Sequence, residues 1–60
     1  MNNRVLKSAV VGDFLWEVKL EGEVIKCYRT FSGNPPEQIA PTILPTPELQ
    51  SAYRDAALPV

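Results

Sequence analysis

The sequence predicts an α+β protein, mainly β, built as a three-stranded antiparallel meander, a proline-rich connector and one short C-terminal helix. Three observations carry that prediction. Between Asp13 and Phe31, two runs rich in β-branched and aromatic residues flank Glu21-Gly22, which is a hairpin pattern. Every proline lies from Pro35 onward, so the chain changes character there. Behind Thr46-Pro47, the residues Leu49, Ala52, Tyr53 and Ala56 recur at helical spacing. The implied layout is 1–34 for the meander, 35–46 for the connector and 47–58 for the helix, one small domain in all.

Met1 to Asn3 reads as a frayed end, and Arg4–Val11 as the first strand through Val5, Leu6, Val10 and Val11. A three-residue loop, Val11-Gly12-Asp13, sets Val10 across from Phe14, Ser8 from Trp16 and Leu6 from Val18. Leu6 and Val10 then join the core. A two-residue loop would bring Lys7 to the apolar face, which argues against it.

Phe14–Leu20 is the expected middle strand. A Glu21-Gly22 turn places Leu20 opposite Glu23, Val18 opposite Ile25, Trp16 opposite Cys27 and Phe14 opposite Arg29. Opposed residues share a face of a sheet. One face collects Phe14, Trp16, Val18, Leu20, Ile25, Cys27 and Phe31, and the other Leu15, Glu17, Lys19, Val24, Lys26, Tyr28 and Thr30. Glu17 then lies between Lys7 and Lys26, a trio worth roughly a few tenths of a kcal/mol per pair. A looser loop from Leu20 to Glu23 keeps the same faces, and Glu at a positive φ is a reason to consider it.

Ser32-Gly33-Asn34-Pro35-Pro36 ends the sheet. Asn34 is placed to cap a short turn, with Pro35 first in it and Glu37 three residues after the cap. The segment PTILPTP reads as a polyproline-like connector, its P-x-x-x-P spacing unlike the P-x-x-P of groove ligands. Thr46 as N-cap, Pro47 at the first helical position and Glu48 in the first turn start the helix, and Leu58-Pro59 stops it.

Composition narrows the function. A chain of 60 residues buries only about 60% of its unfolded surface and has a marginal core. Cys27 is the only cysteine and histidine is absent, so neither an internal disulfide nor a structural zinc site is expected. A net charge of -1 gives no bias toward nucleic acid or an anionic membrane. There is no apolar run of spanning length and no signal-peptide pattern, so the expectation is a reduced, cytoplasmic protein, or a virus-encoded one in a host cytosol.

No catalytic or cofactor-binding residues are assigned. Alternation buries Cys27 beside Trp16, where a thiol is inert. Ser8, Ser32 and Ser51 have no histidine base, and the three glycines are too dispersed to cradle a phosphate. The expected function is therefore that of a non-enzymatic accessory or regulatory protein that binds another protein. Its tools are an edge strand, Arg4–Val11 or Val24–Phe31, and the helix stripe Leu49, Ala52, Tyr53 and Ala56. Leu15 and Val24, apolar on the outer face, are further candidate contacts. A second copy is an expected partner, because one helix with two alanines in its stripe covers too little of the apolar face. The alternative is a small nucleic-acid-binding regulator using Lys7, Lys19, Lys26 and Tyr28, basic residues around an aromatic platform. The net acidity and Glu17 at the centre of that face weigh against it.

Overall fold

The computed structural model describes residues 3–57. A four-stranded antiparallel sheet is followed by one C-terminal helix: β1 (Asn3–Val11), β2 (Phe14–Glu21), β3 (Val24–Phe31) and β4 (Glu37–Ile39) lie side by side in chain order. A 3₁₀ turn at Pro41–Ile43 leads to α1 (Pro47–Ala57). The α+β, mainly β class is the expected one. Met1, Asn2 and the Leu58-Pro59 stop lie outside the described residues, and Asn3 already belongs to β1.

The β2–β3 hairpin keeps the expected faces with a register two residues away. Glu21 pairs with Val24 across a Gly22-Glu23 loop, so Val18 faces Cys27, Trp16 faces Arg29 and Phe14 faces Phe31. The reason is conformational. Gly22 takes φ 66 at the first loop position, and no residue other than glycine has a positive φ among those described. A Glu21-Gly22 loop of the same kind would force that φ on Glu21, whose Cβ opposes it. A shift of two leaves every side chain on its face.

In the β1–β2 hairpin the same preference has a larger effect. Gly12, at φ 64, opens a two-residue loop with Asp13, and Val11 pairs with Phe14. This is one residue from the expected pairing. Val10 therefore turns to the outer face, 75% exposed, while Ala9 and Val11 pack on the core. A bulge between Val5 and Lys7 then absorbs the slip, and beyond it Arg4 faces Leu20, in line with the expected register. Leu6 stays against the core and Lys7 is exposed. Lys7 does stand on the helix side, across from Val18, but it is exposed there, and the extra residue keeps Leu6 against the core.

The turn after β3 is closed by the Asn34 N–H donating to the Phe31 carbonyl at 2.9 Å, with Gly33 at φ 82. Glu37 is no capping residue: Glu37–Ile39 forms β4 on the outer side of β3. Pro36 just before an edge strand forfeits no ladder bond. Arg29 and Glu37 are cross-strand partners joined at 2.8 Å, and Ile39 pairs with Cys27 on the core face.

The core consists of Trp16, Val18, Cys27, Leu44 and Leu49, with Leu6, Phe14, Ile25, Ile39 and Tyr53 among the half-buried residues around it. The helix start is as expected. Thr46 Oγ1 accepts from the Leu49 N–H at 3.2 Å, and the Gln50 N–H donates to the Thr46 carbonyl at 3.1 Å. Gln50 Nε2 also donates to the Leu44 carbonyl at 2.9 Å, tying the helix to the connector. Part of the apolar cover that the sequence assigns to a second copy is thus supplied by Ile39 and Leu44 of the same chain.

Candidate interaction surface

The helix stripe faces inward. Leu49 is completely buried, Tyr53 and Ala52 are half-buried, and Ala56 is exposed. Its two large side chains serve the chain's own core, so the stripe is no open contact surface in this conformation. Leu15 and Val24 do lie on the outer face, but far apart. Leu15 sits beside Val10 and Thr30 at one end, whereas Val24 pairs with Glu21 at the other.

Three of the four nucleic-acid candidates come together. Glu17 faces Tyr28 and Lys19 faces Lys26, so Tyr28, Lys19 and Lys26 form one cluster on the outer face. Lys19 Nζ lies 5.2 Å from the Tyr28 ring centroid and 3.9 Å from Glu17, and Lys26 lies 3.6 Å from Glu21. Tyr28 Oη donates to Glu21 Oε2 at 2.8 Å. Each lysine therefore has its own carboxylate, and the cluster carries no net charge for a phosphate backbone to neutralise. The expected Lys7–Glu17–Lys26 trio does not form: Ser8 and Tyr28 flank Glu17, and Lys7 sits across from Val18 at the bulge. Tyr28 is raised above its ordinary value of 10.0, first by its hydrogen bond to Glu21, then by desolvation and the Glu21 charge.

Arg29 is the functional-looking residue that the reading of faces left out. Its guanidinium lies 4.7 Å from the Phe14 ring centroid and 5.5 Å from that of Trp16. The signal was available, because alternation puts Arg29 on the apolar face of β3. Cys27 is buried, and desolvation raises its thiol above the ordinary 9.0, which disfavours the thiolate that nucleophilic chemistry needs.

Two surface features remain. An open groove of about 500 Å³ runs between the 3₁₀ turn and α1, lined by Pro41, Thr42, Gln50, Tyr53, Arg54 and Ala57. The other is the sheet edge. β4 covers β3 from Cys27 to Arg29, so the middle of Val24–Phe31 is no edge. β1 has a strand on one side only, and among the described residues nothing pairs with its other side. Val5, 47% exposed, and Val10 flank that free edge on the outer face, and Arg4 and Lys7 flank it on the helix side. Neither Arg4 nor Lys7 makes an ion pair among the described residues. Comparison with protein-family models, with curated proteins and with solved structures gives no match.

Proposed function

We propose that this chain is a small non-enzymatic accessory protein that acts by binding another protein, adding a strand of that protein to the free edge of β1. The observation that carries this reading is the unpaired side of a nine-residue strand, bordered by exposed valines. An exposed strand edge is a row of unsatisfied N–H and C=O groups and a template for pairing. Each main-chain bond formed there contributes about 0.5–1.5 kcal/mol net, so a strand of this length supplies useful affinity from backbone alone. The charge-balanced Tyr28 cluster favours the protein partner over nucleic acid.

Exposed Val5 and Val10 can be replaced without touching the core. In extract of the source cells, the wild-type chain is expected to fractionate in one discrete complex well above its own 6.7 kDa. The double variant Val5→Lys, Val10→Lys should migrate alone, with unchanged tryptophan emission. A complex that persists undiminished in the double variant places the contact elsewhere and overturns the edge reading.

A further inference from the structure

The free edge of β1 is chemically lopsided, and its register says what a pairing strand must look like. Residues opposed across a sheet share a face. β2 shows the pattern on the paired side: Leu20, Lys19 and Val18 stand across from Arg4, Val5 and Lys7, because the bulge sets Leu6 and Lys7 together against one partner position. Arg4 and Lys7 are the only charges in β1, both positive, both exposed, and both on the helix side of the sheet. Val5, Ser8 and Val10 lie on the other side.

Resting on the edge-pairing reading, we infer that the strand bound by β1 is an acidic one, with two carboxylates separated by one apolar residue. The carboxylates stand across from Arg4 and Lys7, and the apolar residue stands across from Val5. A second copy of β1 is a poor occupant. Two copies paired edge to edge bring together strands that each carry two positive charges and no negative one. Like charges across a sheet destabilise it. A lysine and a bulge are also the devices by which edge strands avoid self-association. The same basic residues that oppose a second copy select an acidic strand, so one feature provides both exclusion and specificity.

The test uses the full chain and three labelled synthetic peptides of the length of β1, read by fluorescence anisotropy. One has the centre Val-Glu-Val-Glu-Val, and the other two carry lysine or serine in place of the glutamates. The glutamate peptide should bind about tenfold more tightly than the lysine peptide at low salt, the gap narrowing at moderate salt. In the double variant Arg4→Glu, Lys7→Glu, whose sites are exposed, the preference should invert with tryptophan emission unchanged. Equal binding of all three peptides, lost in Val5→Lys, Val10→Lys, keeps the edge reading and overturns the acidic preference. No binding of any peptide at millimolar concentration overturns both. A single-stranded oligonucleotide that displaces the glutamate peptide at equal concentration overturns the inference in favour of phosphate.

Discussion

Leu49 and Trp16 show what single side chains do in so small a core. Leu49 is completely buried between the helix and the sheet, and Trp16, the third residue of β2, is 7% exposed. Leu49→Ala should lower stability by about 2–5 kcal/mol and Trp16→Ala by about 3–5 kcal/mol, as large-to-small changes in cores do. Either is comparable to the whole stability of a domain this size. Urea denaturation followed by tryptophan emission, blue-shifted in the native protein, reads both. Replacing Leu49 and Tyr53 together by Asp should unfold the chain rather than only detach a partner, because both side chains pack inward. Cys27 gives a pH prediction. Burial raises its thiol above 9.0, so above that value the unfolded chain releases a proton that the native chain retains. Tyr28, raised above 10.0, adds the same sign of effect at higher pH. Stability is complete below these ordinary values and falls as pH rises through the raised ones. Thiol reagents should likewise modify native Cys27 far more slowly than the unfolded chain. Reaction as fast in the native state would mean that the core does not enclose it.

Among the elements, the two hairpins are governed by where glycine stands in the loop. Gly12 and Gly22 each take a positive φ at the first loop position, and a Cβ built at either meets no neighbouring atom. The cost of Gly22→Ala is therefore backbone strain alone, about 1–2 kcal/mol, and thermal unfolding should show it without loss of the fold. The faces of β2 and β3 were legible in the sequence because alternation has a period of two and survives a two-residue shift. The registers were not. Hydrophobic pattern counts residues, whereas the turn demands glycine at one position, and in β1 the demands differ by one. The bulge beside Leu6 reconciles them, and nothing in a run of alternating residues marks where such an insertion falls. β4 was hidden for another reason. The four residues between Pro36 and Pro41 carry one β-branched side chain, Ile39, and pairing is secured by Arg29–Glu37 and by the packing of Ile39, both of which appear only in the fold.

At the scale of the whole molecule, the chain forms a slab of 36 × 26 × 15 Å, with one face of the sheet under the helix and connector and the other, among the described residues, uncovered. Leu44 completes the cover, buried just ahead of a proline, a position that the sequence marks only as extended. No helix among the described residues is long and apolar enough to cross a membrane. What distinguishes the outline is its asymmetric edges. One is the three-residue β4, and the other is the nine-residue β1, which among the described residues has no strand on its outer side. Amide hydrogen exchange of β1, residue by residue, is the most direct test of that open edge. In the isolated chain, alternate β1 amides, those aimed away from β2, should exchange far faster than their inward neighbours at every protein concentration. They should become protected when the glutamate peptide is added. Uniform protection along β1 in the isolated chain, deepening as concentration rises, would show that a second copy already occupies the edge and would contradict the account.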